Sequence, residues 1–384
     1  MKRPIYLDYN ATTPVDPAVV AAMVPYLGTH FGNPSSKRHV YGWTADEACG
    51  MAREDVAALV GAEPEWVHFT GGATEAINWA IKGIAFANVS RGKHIVTVAT
   101  EHKAVIGSCQ WLESLGWEVS ILEVDANGVL DVASFEAALR DDTVLACFMW
   151  ANNEIGTLHP VADLTRSAHS RGIPVLVDAT QAVGKVPVEL GDIDLLACSA
   201  HKFYGPKGVG ALVINGRRPR LRLDQLIHGG GQERGRRAGT LNVASIVGMG
   251  AAARMAREDL AEEGPRLAEF RDRMEAALAE NVDVIINGEG AERLPNTANV
   301  TFPGVDTAKL LERLPELAIS TGSACSTGSG APSHVLKAIG SDLQSVTLRV
   351  SFGRFTKDED AEAATHALVR AVKDLQDEAS EVAN

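Results

Sequence analysis

The stretch Ile173-Pro174-Val175-Leu176-Val177-Asp178-Ala179-Thr180-Gln181 decides the fold class, because an apolar run rich in β-branched residues gives way at once to polar residues. Such a run predicts a strand that is buried on both faces, as happens where helices cover a parallel sheet. Similar runs recur between residues 45 and 214, and amphipathic segments separate most of them. This alternation predicts an α/β domain with a mainly parallel sheet.

The apolar runs and the segments between them give the expected elements. Seven strands are expected at about 66–70, 94–99, 118–124, 143–150, 173–177, 195–199 and 209–214. Helices are expected at about 45–60, 74–89, 103–115, 133–140 and 160–171. After residue 242 we expect two long helices, 243–262 and 265–280, then strands near 284–286, 297–301 and 347–351, and a closing helix from 358 to about 378.

The change in pattern near residue 242 predicts two domains. A large α/β domain with a seven-stranded sheet is expected at 14–258, and a smaller α+β domain at 1–13 together with 259–384. A short tract rich in glycine and serine, at about 320–332, is expected to form a mobile loop of the smaller domain.

Composition excludes several classes of protein. The 384 residues are 46% hydrophobic and 22% charged, which is typical of a globular chain. With 36 basic and 49 acidic residues the net charge is −13, so direct binding to nucleic acid is not expected. The sequence contains no apolar run long enough for a membrane span, and its N-terminus does not resemble a signal peptide, so we expect a cytoplasmic protein.

The five cysteines predict neither a disulfide framework nor a metal site, because none of them forms a CxxC pair. Cys109, Cys147 and Cys198 lie in apolar or helix-like segments, where a free cysteine is usually a small buried hydrophobe. Cys325 instead lies within the Gly/Ser-rich tract. A thiol in such a setting suits a nucleophile that moves between sites, although a spectator thiol is the alternative.

Polar residues follow several predicted strands, at the edge where α/β sheets collect their ligands. The Gly-Gly turn before Thr74 opens a helix and could hold a phosphate through backbone N–H groups, or could be only a turn. Asp178 at the rim of an apolar strand needs a cationic partner, such as a protonated pyridine nitrogen, unless it only caps a helix.

A lysine and two neighbours follow another predicted strand. Lys202 lies between an apolar run and a glycine-rich turn, which fits a Schiff-base nucleophile better than a surface ion pair. Ser199 and His201 flank it and could contact a phosphate. His102 follows a further strand and could stack on a flat ring and move protons, or could be a structural histidine. Together these residues predict a pyridoxal phosphate site.

Basic residues are concentrated in one short segment. It contains seven arginines within 21 residues: Arg217, Arg218, Arg220, Arg222, Arg234, Arg236 and Arg237. A solvated charged surface is the simplest explanation. Recognition of a phosphate or of an acidic acceptor surface is the functional alternative.

The sequence resembles the pyridoxal phosphate-dependent cysteine desulfurases of the NifS/IscS type along nearly its whole length. The resemblance is carried by ordered matches spread over the chain. The longest stretches are Tyr6–Thr13, Gly32–Ser36, Gly72–Glu75, Asn152–Gly156, Asp178–Gln181, Ser199–Lys202, Gly205–Gly208, Gly229–Glu233, Arg237–Thr240, Gly322–Cys325 and Arg349–Ser351. Ala200 replaces a glycine frequent in the family, which should matter little because both are small. The resemblance implies a fold-type I transferase that binds pyridoxal 5′-phosphate.

Roles for individual cofactor-binding residues follow from the resemblance position by position. Lys202 is implied as the Schiff-base lysine, Asp178 as the partner of the pyridinium nitrogen and His102 as the residue stacked on the ring. Gln181 is implied to hydrogen-bond the ring hydroxyl. Further contacts are implied for Ala73, Thr74, Asn153, Ser199 and His201, and for Thr240 of the partner subunit in a homodimer.

The resemblance also implies the reaction. L-cysteine would be converted to L-alanine, with Asn33 and Arg349 binding the substrate carboxylate and Cys325 accepting the sulfur as a persulfide. Six residues separate Cys325 from Pro332, which resembles the long-loop class of the family. A sulfur-acceptor protein of iron–sulfur assembly, or of tRNA or DNA thiolation, would take the sulfur. The alternatives are an aminotransferase, a selenocysteine lyase and a non-catalytic scaffold for sulfur-transfer proteins.

Overall fold

The computed structural model describes residues 3–217, 221–321 and 333–383. The strands of these residues are β1 Ile5–Tyr6, β2 Val67–Thr70, β3 His94–Val98, β4 Glu118–Leu122, β5 Thr143–Met149, β6 Val175–Asp178, β7 Leu195–Ser199, β8 Gly210–Ile214, β9 Ile285–Ile286, β10 Thr297–Phe302, β11 Leu317–Ala318, β12 Ser320–Thr321 and β13 Val346–Ser351. The α-helices are α1 Pro17–Leu27, α2 Val40–Leu59, α3 Ala73–Ala87, α4 Lys103–Glu113, α5 Val132–Ala138, α6 Val161–Ser170, α7 Gln232–Gly235, α8 Val243–Asn281, α9 Thr307–Glu312, α10 His334–Ala338 and α11 Asp358–Ala383.

A seven-stranded sheet in the order β2-β8-β7-β6-β5-β3-β4 forms the centre of the molecule. Its strands are parallel except for β8, which runs antiparallel to both of its neighbours. The prediction of an α/β fold with a mainly parallel seven-stranded sheet is confirmed. Because β2 and the parallel strands point the same way, their carboxyl ends share one edge of the sheet.

Helices cover both faces of this sheet, which explains the unbroken apolar runs of its strands. In β7, Leu196 and Cys198 pack on one face in a cluster with α2, α5, α6 and the first part of α8. Leu195 and Ala197 pack on the other face with α3 and α4. Successive side chains of a strand point to opposite faces, so both sets are buried.

The prediction of two helices after residue 242 is wrong, because one helix of 39 residues, α8, spans the whole stretch with Pro265 inside it. A proline removes one backbone hydrogen bond and usually breaks a helix. Here both halves are held by packing: Met249 and Ala253 lie in the cluster of the large sheet, and Phe270 and Met274 in a second cluster. Tertiary packing therefore outweighs the local cost of the proline.

A second, antiparallel sheet in the order β12-β13-β10-β9 lies beside the second cluster, together with α11. The N-terminal segment joins this part of the chain, since β1 pairs with β11 and Asp8 forms a bridge with Ser351. The proposed domain boundary at residue 258 falls within α8 and stays a prediction. Within the described part of the chain, no helix has the length and apolarity of a membrane span.

Candidate active site

A cleft of about 810 Å³ opens at the shared edge where the parallel strands end. That volume is sufficient for a cofactor together with a small substrate. Its wall contains ten of the thirteen residues predicted from the sequence. They are Ala73, Thr74, His102, Asn153, Asp178, Gln181, Ser199, His201, Lys202 and Arg349.

Three other predicted residues are not among those that line the cleft. Asn33 is exposed, and its Oδ1 accepts a hydrogen bond from the backbone N–H of Ser35 at 2.9 Å. Thr240 is also exposed and away from the cleft of its own chain. Cys325 and most of the predicted mobile loop lie outside the described residues.

The turn between β2 and α3 forms one end of the cleft. Gly72 adopts a φ of +146°, a conformation that side chains disfavour, and this places the start of α3 at the cleft. The first-turn N–H groups of a helix have no acceptor within the helix, and they attract anions. A Cβ on Gly210 of β8 would lie 2.7 Å from the Cα of Gly72 and 2.5 Å from the carbonyl of Cys198. Glycine at both positions therefore makes this close approach possible.

Ser199 and His201 adjoin the same end of the cleft, because β7 ends in Ser199 and the next residues form a short 3₁₀ turn. Nδ1 of His201 lies 3.2 Å from the hydroxyl of Thr12. Burial, followed by the nearby charges of Lys202 and Lys207, lowers the pKa of His201 to about 4. His201 is therefore a neutral hydrogen-bonding group at neutral pH, suited to contact an anion.

Asp178 ends β6 and is buried at 5% exposure. Its Oδ1 accepts a hydrogen bond from the N–H of Thr180 at 3.0 Å. In the ranges that the structure describes, no lysine or arginine forms an ion pair with this carboxylate. A buried carboxylate without a cationic partner is unfavourable, so the cleft offers a site for a positively charged group of a ligand.

Lys202 follows the 3₁₀ turn after β7 and extends into the cleft. Its Nζ donates hydrogen bonds to the backbone carbonyls of Asn10 and Ala11, at 2.5 and 2.9 Å. The segment after β1 therefore holds the lysine in place. The amine faces the same cavity as Asp178, as expected for a nucleophile that serves a ring bound between them.

His102 is the N-cap of α4, where its Nδ1 accepts a hydrogen bond from the N–H of Ala104 at 3.1 Å. This contact leaves the proton of the neutral ring on Nε2. Burial lowers the pKa of His102, although the charge of Asp178 opposes that effect. Glu101 beside it is fully buried, and burial and Asp178 raise its pKa well above the usual value. The site therefore favours neutral forms of both residues.

Arg349 in β13 also lines the cleft and is 4% exposed. It donates to a carboxylate oxygen of Asp8 at 2.7 Å and to the carbonyl of Asn153 at 3.0 Å. Its buried Nε has no partner in the described structure. A carboxylate that enters the cleft must therefore share this guanidinium with Asp8.

Among the polar residues of the cleft or its wall that sequence reasoning missed are Asp8, Asn10, Lys185 and Lys207. The first two fall in the matched stretch 6–13, where polar residues directly follow an apolar run. This pattern could have indicated site residues, but no role was predicted for Asp8 or Asn10. Lys185 lies four residues after Gln181, and this spacing could have indicated contact.

The arginine-rich segment is used largely within the chain. Arg237 pairs with Glu75 at 2.8 Å, and Arg234 donates to the carbonyl of Glu65 at 2.6 Å. Arg217 stacks over Trp66. Arg218 and Arg220 lie outside the described residues. These contacts favour a structural explanation over a free basic surface.

The four cysteines other than Cys325 are buried and form no disulfide. Burial raises the pKa of Cys49, Cys109 and Cys198 to about 12. Such thiols are unreactive because the thiolate is the nucleophile. Across the described ranges, no group of three or more histidine, cysteine or acidic side chains is placed to hold a metal ion.

Comparison with known proteins gives the same family as the sequence motifs. The model of the aminotransferase class-V family matches residues 5–363. The cysteine desulfurase IscS of Methylococcus capsulatus is 48% identical over 381 residues, which cover 98% of this chain and 94% of the relative. The chain belongs to the cysteine desulfurase family. This desulfurase is therefore a pyridoxal phosphate-dependent sulfurtransferase.

Solved structures of related proteins have the same fold as this desulfurase. A NifS-like protein superposes with a TM-score of 0.88 at 35% identity, covering 97% of this chain and 99% of the other. A structure described as SspA in complex with cysteine gives a TM-score of 0.80 at 38% identity, with coverage of 90% and 98%. The prediction of a fold-type I transferase is confirmed.

The residues of the desulfurase cleft fit pyridoxal 5′-phosphate. The start of α3 with Thr74 suits the phosphate, and the buried carboxylate of Asp178 suits a protonated pyridine nitrogen. Lys202 supplies the amine. An anion site, a buried carboxylate and a lysine in one cavity correspond to the phosphate, the protonated ring nitrogen and the aldehyde of this cofactor.

Proposed function

We propose that this protein releases the sulfur of L-cysteine, leaving L-alanine, and passes it as a persulfide on Cys325 to an acceptor protein. The observation that carries the proposal is the cleft itself, in which Lys202 and the buried Asp178 face Arg349 and Ser320. Ser320 lies only five residues before Cys325 in the chain. A cofactor site, a carboxylate-binding arginine and the origin of the cysteine-bearing segment therefore meet in one cavity.

Each residue of the cleft has a role in this proposal. When bound, pyridoxal phosphate supplies an electron-withdrawing ring that stabilises negative charge at the substrate Cα. Asp178 keeps a proton on the ring nitrogen, and the start of α3 with Thr74 and Ser199 binds the phosphate. Lys202 would provide the amine to which the cofactor attaches and, as a free amine, would accept and return the proton of the substrate Cα. Its neighbouring carbonyls at Asn10 and Ala11 hold the free amine in position.

His102 and Arg349 complete the binding of cofactor and substrate. His102 flanks the ring in a neutral form, because burial lowers its pKa. Arg349 binds the substrate carboxylate through the guanidinium that Asp8 and the carbonyl of Asn153 already contact. An arginine suits this role because its planar donors match a carboxylate. We propose that Asn33 assists only after the substrate is bound, since it lies away from the cleft here.

The sulfur-transfer step balances without an additional oxidant. The carbon–sulfur bond of L-cysteine breaks and a sulfur–sulfur bond to Cys325 forms, while the methyl group of L-alanine gains a hydrogen. The sum is L-cysteine plus a cysteine thiol giving L-alanine plus a cysteine persulfide. The thiolate is the attacking form, as in thiol–disulfide exchange.

The residues on either side of the segment that carries Cys325 support the proposal that its thiol reaches the substrate. Before it, Ser320 lines the cleft. After it, Ser333 donates to Glu154 at 2.6 Å, and His334 lies 2.9 Å from the carbonyl of Glu101. Five residues from Ser320 to Cys325 extend at most about 17 Å. Cys325 is therefore within chain reach of the cleft, as the proposal requires.

We propose that the protein is a homodimer. Helices α1 and α2 and the loop between them expose a set of large apolar side chains, which is unusual for a surface that faces only water. They are Val20, Val24, Leu27, Phe31, Val40, Tyr41, Trp43 and Met51. A second copy would cover them, and Thr240 of the partner subunit would complete the phosphate site. Sedimentation of the holoenzyme would give the dimer mass if this is right and the monomer mass if it is wrong.

The proposed reaction is tested with the purified protein, pyridoxal phosphate and L-cysteine. We expect L-alanine and sulfide in equal amounts when a reducing agent is present. Lys202→Ala should abolish both products and the absorbance band of the lysine-bound cofactor, whereas Lys309→Ala, on an exposed helix, should change neither. Turnover in Lys202→Ala would refute the role of this lysine.

The role of Cys325 requires a separate experiment. After incubation with ³⁵S-labelled L-cysteine, the label should remain on the wild type and on Cys49→Ala, whose thiol is buried, and be absent from Cys325→Ser. Cofactor binding should be unchanged in all three. The same label, followed onto proteins of a cell extract, identifies whether the acceptor serves iron–sulfur assembly or tRNA or DNA thiolation. Persulfide on Cys325→Ser would contradict the proposal.

A further inference from the structure

The amide of Gln181 is held from both sides, by Lys185 and by the backbone carbonyl of Asn10. Its Oε1 accepts a hydrogen bond from Nζ of Lys185 at 2.5 Å. Its Nε2 donates to the backbone carbonyl of Asn10 at 2.9 Å. A backbone carbonyl can only accept, so the contact with Asn10 requires the Nε2 end of the amide on that side, and Lys185 then supplies the donor for Oε1 on the other side.

Lys185 is available for this role because it follows Gln181 by four residues on one helical turn of the loop after β6. Such spacing places the two side chains side by side. Nζ of Lys185 also donates to Oδ1 of Asn10 at 3.1 Å. In the described ranges no carboxylate forms an ion pair with it, so its contacts are to neutral amides.

The position of Asn10 is itself determined independently of Lys185. Its Nδ2 donates to the hydroxyl of Thr297 at 2.8 Å, and its Oδ1 also accepts from Asn296 at 3.1 Å. Its backbone carbonyl accepts from Lys202 as well as from Gln181. The amide of Gln181 is therefore bonded to a residue whose position is fixed by other contacts, and the same residue also holds Lys202.

Removal of Lys185 would leave Oε1 of Gln181 without a donor in a side chain that is 5% exposed. A buried oxygen without a partner is unfavourable, so the amide would rotate to seek another donor. Gln181 lines the cleft, and rotation would change which atoms it presents there. An amide oxygen facing an oxygen of the ligand repels it, whereas an N–H attracts it.

Burial, together with the nearby charges of Lys202 and Arg349, lowers the pKa of Lys185 well below its usual value, while Glu263 opposes this effect. A neutral amine still donates to two acceptors, and here it has two, on Gln181 and Asn10. The orienting contact therefore does not depend on the charge of the lysine.

We propose that Lys185 is a positioning residue that orients the amide of Gln181 so that its N–H, and not its carbonyl, faces the ring oxygen of pyridoxal phosphate. This inference rests on the proposed function, because it takes the cleft to bind that cofactor. It assigns Lys185 an indirect role, since the lysine acts through Gln181 and not on the cofactor.

The test measures binding of pyridoxal 5′-phosphate to the purified chain by equilibrium dialysis and records the visible spectrum. Lys185→Met keeps the length of the side chain and removes its donors. We expect its dissociation constant to rise about tenfold, with a shifted absorbance maximum. Lys309→Met is the control and should bind like the wild type. If the wild type itself binds no cofactor, the proposed function fails; if Lys185→Met binds as tightly as the wild type, only this inference fails.

A double-mutant cycle separates orientation from general support of the fold. In a Gln181→Ala background there is no amide to orient, so adding Lys185→Met should change the dissociation constant by less than about twofold. If each substitution weakens cofactor binding independently, so that the two fold-changes multiply in the double variant, the proposal is overturned. Gln181→Glu provides a test that leaves Lys185 in place, because a carboxylate pairs with the lysine but turns an acceptor toward the cleft. It should bind the cofactor at least tenfold more weakly, and wild-type affinity would also overturn the proposal.

Discussion

Asp8→Asn removes the charge that faces Arg349 and keeps the size of the side chain. Arg349 stays held by β13 and by the carbonyl of Asn153, so the guanidinium should keep its place. A substrate carboxylate then no longer competes with a fixed carboxylate for the same donors. We expect tighter binding of L-alanine, the product, and a lower KM for L-cysteine.

The magnitude follows from the geometry of the pair. A carboxylate oxygen of Asp8 lies 2.7 Å from Arg349, and the two side chains are 23% and 5% exposed. Unit charges about 4–5 Å apart interact by roughly 3–4 kcal/mol at an effective dielectric constant of about 20. Water in the open cleft reduces the repulsion of an incoming carboxylate to about 1–2 kcal/mol. This free energy corresponds to a gain in affinity of about 5- to 30-fold.

The assay is a titration of the holoenzyme with L-alanine, followed by the visible absorbance of the cofactor. L-alaninamide, which lacks the carboxylate, is the control ligand and should bind equally to both proteins. Asp8→Glu keeps the charge and should retain weak binding. Unfolding in urea should show a loss of about 1–3 kcal/mol for Asp8→Asn, because Arg349 loses a largely buried partner.

Two results would refute this reasoning. A fall in the affinity of Asp8→Asn for L-alanine would mean that Asp8 orients the guanidinium and does not compete for it. An equal gain for L-alanine and L-alaninamide would mean that the charge of the whole cleft, and not the contact with Arg349, sets the effect.

Three further predictions concern stability and cofactor binding. Burial lowers the pKa of His159 to about 4 from 6.5, so the unfolded chain takes up the proton at a higher pH than the folded chain. The free energy of unfolding should therefore fall as the pH drops from 6.5 to 4. His159→Asn should flatten this pH dependence in urea titrations, and an unchanged pH dependence would contradict the prediction. Glu233→Gln breaks the buried pair with Arg53 at 2.7 Å and should cost about 3 kcal/mol of unfolding free energy, with a loss below about 1 kcal/mol counting against it. Gly210→Ala should weaken cofactor binding by about tenfold or more, whereas Gly107→Ala, whose added Cβ meets open space, should not. Equal binding by both variants would show that the close approach of Gly210 to Gly72 is unimportant.

The strands and the strand-end residues were predictable because both depend on local patterns. Apolar runs such as 143–149 and 195–199 are buried on both faces, so period and composition identify them directly. Asp178 and Lys202 follow such runs at once, and parallel strands bring their ends together. Nothing beyond the order of residues along the chain was needed to place these two at one edge.

The contacts made by the N-terminal segment could not be predicted in the same way. Asp8 and Asn10 bond to residues more than 280 positions away, Arg349 and Thr297 among them. The pairing of β1 with β11 and the bridge between Asp8 and Ser351 create this proximity. The continuous α8 was missed for a related reason, since Pro265 predicts a break locally and long-range packing prevents it.

The joining of the first residues to the last third of the chain has a consequence for biosynthesis. Asn10 leaves the ribosome early, yet two of the groups that it contacts, on Thr297 and Ser351, belong to the last quarter of the chain. At about 5–20 residues per second the amino terminus waits roughly 20–70 s for its partners. The cleft to which Asn10 contributes is therefore complete only on a nearly finished polypeptide.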